Sequence, residues 1–170
     1  MNFLELVKAR YSCRKLTDKP IEPEKIDRIL QAAIAAPTAK NAQPYKIWKL
    51  TSPDAMAKLK QATNFTFGAG MALIVGVKAD EAFVRPFDQM NFAQVDGAIV
   101  ATHIMLAVQD EGLATTWVGY IDTPKLAEVI PETKGYEIVA MFPIGYAAEG
   151  AKPSNRHEDR RVFSEVVTEL

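Results

Sequence analysis

The sequence has a single cysteine, only two histidines and no excess of either charge. One thiol, Cys13, excludes an intramolecular disulfide framework and fits a reducing compartment. His103 and His157 lie far apart with no Cys/His cluster near them, which gives no metal-ligand spacing. With 20 basic against 21 acidic residues and a net charge of −1, the chain lacks a global footprint for nucleic acid or a membrane surface. No apolar run approaches the ~20 residues that span a bilayer, and an acid interrupts the N-terminal apolar run where a signal peptide would need none. Neither a G-x-G-x-x-G nor a Walker loop is present, which disfavours Rossmann and P-loop sites. The expectation is a soluble, cytoplasmic protein without nucleic-acid or membrane partners.

What is present fills 170 residues, 48% of them hydrophobic, enough for one well-packed domain over 1–170. Phe3, Leu6 and Val7 fall at helical spacing behind a capping Asn2. A second helix starts at Pro23 and stops before Pro37. Tyr45 to Leu50 alternates as a strand, Ser52-Pro53 opens a short helix through Gln61, and Met71 to Val77 reads as a buried strand. Asn64 to Gly70 and Asp80 to Gln89 read as irregular. Asn91 to Glu111 is the longest helical stretch, apolar around much of its circumference and hence predicted to be central and buried. Leu113 to Gly119 is strand-like, Thr123-Pro124 caps a helix through Ile130, and Glu137 to Gly145 is the last strong strand. Helices and strands mix without a βαβ rhythm, which predicts an α+β fold.

Four stretches carry candidate chemistry. In Arg10-Tyr11-Ser12-Cys13-Arg14, an extended backbone points Arg10, Ser12 and Arg14 to one side, where two guanidiniums and a hydroxyl suit a phosphate. The same pattern also occurs on solvated surfaces. Cys13 between them has no base beside it and reads as a packing residue, and His103 reads as a hydrogen-bonded core histidine. The loop Pro37-Thr38-Ala39-Lys40-Asn41-Ala42-Gln43-Pro44 offers amide donors and acceptors that match the imide edge of a heterocycle, or simply form a surface turn. In Gly112 to Gly119 a strand-ending glycine lets a planar ligand approach the backbone closely. Finally, Arg160-Arg161 supplies cations that could join Arg10 and Arg14, or stand solvated.

R-x-S-x-R, A-A-P-T-A-K-N-A-Q-P-Y, E-G-L-A-T-T-W-V-G and a late arginine before V-F-S-E-V-V follow one another in an order that resembles the nitroreductase family of FMN flavoproteins. The resemblance spans essentially the whole chain and is to short members. It implies a central, mostly antiparallel sheet flanked by helices, in an intertwined homodimer with two sites at the interface. By similarity, Arg10, Ser12, Arg14 and Arg160, with Tyr11 in the same stretch, bind the phosphate and ribityl end of FMN. Pro37, Thr38, Ala39, Asn41 and Gln43 reach the flavin from the partner subunit, Asn64 lies at its pyrimidine side, and the backbone of Trp117, Val118 and Gly119 lies against the isoalloxazine.

The implied activity is a ping-pong oxidoreductase that takes electrons from NAD(P)H and passes them to a small nitroaromatic or quinone acceptor. No essential acid or base side chain is expected, since the cofactor carries the chemistry. Two departures stand out. Lys78 to Met90 is short where longer members insert pocket-covering helices, which keeps open an FMN-binding protein with little turnover. Glu158 stands where some members have a phosphate-binding lysine. A flavin-free α+β interaction domain is the third reading.

Overall fold

The computed structural model describes residues 2–170. Four strands, β1 (Tyr45–Leu50), β2 (Met71–Val77), β3 (Ala114–Thr115) and β4 (Glu137–Gly145), form one antiparallel sheet in the order β1-β2-β4-β3. Every residue of β2 is buried, which explains its unbroken apolar sequence: both faces of the sheet are covered. Met71, Leu73 and Val75 face a core shared with helices α2 (Pro23–Ile34) and α4 (Ala93–Asp110). Ala72 and Ile74 face the other way, with Trp48 and Leu126, toward α3 (Pro53–Ala62) and α5 (Thr123–Val129). The result is an α+β sandwich of helix, sheet and helix layers.

The helix starts follow local chemistry. Asn2 and Glu5 form a reciprocal capping box on α1 (Phe3–Ala9), Pro23 opens α2, and the Ser52 hydroxyl accepts the Ala55 N–H at the head of α3. At α5 the cap is one residue earlier than the sequence suggests: the Asp122 carboxylate, not Thr123, accepts the Lys125 N–H. A final single turn, α6, covers Phe163–Val166. Helix α4 lies close against the sheet at Gly97, where an added Cβ would lie 2.6 Å from the Val77 side chain and 2.7 Å from Val139. The opposite face, along Val95, Ala98, Thr102 and Leu106, is only partly covered, so α4 is less enclosed than its apolar circumference predicts. Among the described residues no helix is long and apolar enough to cross a membrane.

Two other expectations change. The stretch Leu113–Gly119 yields only a two-residue strand, because β3 runs out opposite Pro143. Proline has no N–H to donate to the ladder. The Thr115 hydroxyl instead donates to the Pro143 carbonyl at 2.8 Å, and pairing resumes as an isolated bridge between Val118 and Met141. Asp80 to Gln89 belongs to a small braced hairpin, closed by a Val84–Asn91 bridge and an Arg85–Asp88 ion pair, with Phe87 almost wholly exposed.

Candidate functional site

The segment from Tyr11 to Thr17 is extended and pinned along its length. Cys13 N–H donates to the Thr115 carbonyl, Leu16 N–H to Phe67 and Thr17 N–H to Tyr146, each at 2.9 Å. It lies so close to the end of β4 that a Cβ on Gly145 would sit 2.6 Å from the Thr17 carbonyl oxygen. Cys13 is fully buried with Leu16, Ala69 and Ala114. With Cys13 turned inward as a packing residue, its neighbours Ser12 and Arg14 are turned outward.

The chain beyond β4 comes back alongside. Ala148 N–H donates to the Lys15 carbonyl at 2.9 Å, and the Lys15 ammonium donates to the Glu149 carbonyl at 2.6 Å. These bonds set the following arm against α1. Arg10, Tyr11, Ser12 and Arg14 from one side, and Ser154, Arg156, His157 and Arg160 from the other, line a pocket of about 180 Å³. No carboxylate lines it, and Glu158 does not reach it. Ion pairs of the described residues engage Arg28, Arg85 and Arg161, and none of the four pocket arginines. The nearest bonds of Arg14 and Arg160 go only to the carbonyls of Ser12 and Asp159. The Tyr11 ring meets His157 edge-on, 6.4 Å between centroids, and burial, with a Cys13 contact second, raises the phenol above its ordinary pKa. Four guanidiniums, the hydroxyls of Tyr11, Ser12 and Ser154 and an imidazole form a donor set for a multiply charged anion.

The loop that carries Asn64 and the chain leading to Trp117–Gly119 both adjoin the Tyr11–Thr17 segment, through the Leu16–Phe67 and Cys13–Thr115 backbone bonds. The Thr63 hydroxyl donates to the Tyr120 carbonyl at 2.9 Å, which joins the Asn64 loop to the chain after β3. Trp117 packs edge-on against Phe142, while an added Cβ on Gly119 would meet nothing within 4 Å. Val118 N–H is spent on the Met141 carbonyl. His103, half-buried, bonds through Nδ1 to the Ile99 carbonyl of its own helix. The described residues contain no group of His, Cys, Asp and Glu suited to a metal.

The loop of Pro37, Thr38, Ala39, Asn41 and Gln43 is elsewhere. Tyr45 pairs with Val77, and Lys78 N–H donates to the Pro44 carbonyl, which puts the loop where β2 ends. The arginine pocket belongs to the other end of the sheet, where Met71 pairs with Ile144 next to Gly145. The length of β2 alone separates the two by roughly 20 Å. Within the loop Lys40, Asn41 and Gln43 are left-handed at φ 53, 54 and 51°.

Sequence reasoning did not single out Ser154, Arg156 and His157, whose one signal is a basic pair after a Pro-Ser-Asn turn. It also passed over Asp96, the one Asp, Glu, Lys or Arg between Ala93 and Gln109. That residue is 1% exposed, and its Oδ1 accepts the Ala39 N–H at 2.9 Å.

The model of the nitroreductase family matches residues 7–67 and 62–146. A solved nitroreductase family protein from Clostridium difficile 630 is 34% identical, with a TM-score of 0.90 over 99% of this chain and 98% of its own. A protein from Archaeoglobus fulgidus, provisionally named NADH dehydrogenase/NAD(P)H nitroreductase, is 29% identical over 83% of this chain and 81% of its length. A structure from Exiguobacterium sibiricum in complex with FMN shares the fold at 20% identity, with a TM-score of 0.83 over 100% of this chain and 98% of its own. The chain belongs to the nitroreductase family, a family of oxidoreductase enzymes.

Proposed function

We propose that this protein is an FMN-dependent oxidoreductase that moves electrons from NAD(P)H to a small acceptor such as a nitroaromatic or quinone by a ping-pong scheme. The observation that carries the reading is the convergence of Arg10, Arg14, Arg156 and Arg160 with Ser12 on one pocket free of carboxylates. Its donor set fits the phosphate dianion of a flavin mononucleotide, which guanidiniums bind in paired hydrogen bonds.

In this reading Arg10, Arg14 and Arg160 neutralise the phosphate, and Ser12 adds a hydroxyl donor. Arg156 and His157 supply the cationic and N–H character that Glu158 withholds. The open face at Gly119 admits a planar ring against the backbone. With Val118 N–H engaged by Met141, the N–H groups on either side of it, at Trp117 and Gly119, are the main-chain donors left to face the ring. A flavin held by Arg10, Arg14 and Arg160 would supply hydride chemistry at its N5, with donor and acceptor using the site in turn. The protein's share is position and a field that favours negative charge on the ring.

The loop bearing Asn41 lies too far from the pocket of its own protomer to touch the same flavin, which supports a site completed by a second copy. The partly covered face of α4 at Val95, Ala98, Thr102 and Leu106, and the exposed Val162, Phe163, Val166 and Val167 on the arm, offer surface for that partner. The visible spectrum of the purified protein, taken before and after FMN addition and desalting, tests the reading. Retained flavin bands are expected, and a colourless protein that ignores added FMN would overturn it. Brisk NAD(P)H oxidation with menadione or a nitrofuran then separates an enzyme from a flavin-binding protein of little turnover.

A further inference from the structure

The loop Thr38–Gln43 holds itself in an unfavourable shape. Lys40, Asn41 and Gln43 are left-handed without being glycine, a conformation that L side chains resist. Its internal bonds are local: Asn41 N–H to the Thr38 carbonyl, Ala42 N–H to the Ala39 carbonyl and Gln43 N–H to the Thr38 hydroxyl. Among the described residues, one hydrogen bond joins Thr38–Asn41 to a residue distant in sequence, and it runs from Ala39 N–H to Asp96 Oδ1.

Asp96 is an unusual acceptor. It sits in the first turn of α4, where the helix N-terminus favours a negative charge. It is almost completely buried, no cation pairs with it, and its Oδ2 is buried without any partner among the described residues. A buried acceptor left unpaired is costly. The carboxylate therefore directs its whole acceptor strength at the one N–H that opens the strained turn.

We infer that Asp96 is a positioning residue: its buried carboxylate clamps Ala39 and so holds the loop in the left-handed form that presents the Asn41 amide outward. The Thr38 hydroxyl accepts Gln43 N–H and so helps to close the turn, with its own O–H left to donate. The Asn41 side chain has no internal partner among the described residues and is exposed, ready for a ligand's imide edge. That the ligand is the flavin of a second copy rests on the function proposed above.

The test uses the full-length protein, FMN titration by fluorescence, and amide exchange at Asn41 and Ala42. Asp96→Ala should raise the FMN Kd at least tenfold and speed exchange at both amides, leaving Cys13, Leu16 and Thr17 protected at the far end of the sheet. Asp96→Asn keeps an oxygen for Ala39 and should stay within about threefold of wild type. Ala39→Pro removes the same N–H from the other side without touching the core. Thr38, at φ −133° and ψ 156°, already has the backbone a residue before proline requires. It should reproduce the Asp96→Ala result, and it decides the matter alone if Asp96→Ala fails to fold. Wild-type exchange in the folded variants, or faster exchange with unchanged FMN affinity, would overturn the inference. If the wild-type protein binds no FMN, the flavin reading falls, and exchange at Asn41 and Ala42 still scores the clamp by itself.

Discussion

Two sets of arginines in this molecule are used in opposite ways. Arg28 on α2 forms a double hydrogen bond with Glu111 at the end of α4, both contacts at 2.7 Å, and so fastens two helices. Arg10, Arg14, Arg156 and Arg160 gather without a carboxylate among the residues that line their pocket. Like charges brought together oppose folding, so a cluster of this kind is stable at the expense of packing elsewhere. An arginine with its partner built in is structural, and an arginine whose partner is missing is waiting for one.

The sharpest way to break this contrast is to remove the waiting charges. Arg14→Ala should weaken FMN binding more than tenfold, and Arg10→Ala/Arg14→Ala on the order of a hundredfold, since each loses a charge-assisted contact to phosphate. The melting temperature of the flavin-free protein should hold or rise. Unchanged affinity by flavin fluorescence would make these arginines ordinary surface charges.

Next in size is the wall that carries them. Gly145→Ala drives a methyl into the Thr17 carbonyl 2.6 Å away, a clash with backbone that cannot swing aside. Denaturant unfolding should show a loss of about 1–3 kcal/mol, accompanied by weaker flavin retention as the Tyr11–Thr17 segment shifts. If stability fell and retention did not, the pocket would not depend on that close approach.

The smallest effect belongs to the paired arginine. Arg28→Ala should lower the melting temperature by no more than about 3 °C, as exposed pairs contribute little, with FMN affinity untouched. The sign with pH follows from Glu111, whose carboxyl the Arg28 guanidinium holds below the ordinary glutamate range. A lowered folded-state pKa gives stability that is present at neutral pH and lost on acidification through that range. The gap between Arg28→Ala and wild type should therefore narrow between about pH 7 and about pH 3. A gap that widened would mean the pair is not what Arg28 provides.

Elements whose cause is local were legible in the sequence: the Asn2 cap of α1, Pro23 at the start of α2, and β2 as a buried strand. The shortness of β3 was not, because it depends on which residue Pro143 faces across the sheet, and register is a tertiary fact. The same distinction runs through the site. Arg10, Ser12 and Arg14 declare themselves by spacing within five residues of chain. Arg156 and His157 join them through the return of a distant arm along Lys15, and Asp96 matters through a loop more than fifty positions earlier.

That returning arm has a consequence for the order of events during folding. Residues packed in or against the hydrophobic cores all lie at or before Ala151. The sheet and its helices can therefore pack before the arm is in place. The pocket cannot, since half its lining comes from Ser154 to Arg160. Capture of an anionic ligand is thus deferred until the body that presents Arg10 and Arg14 is already built. A ligand of this pocket would therefore fill a finished frame and would not serve as a template for it.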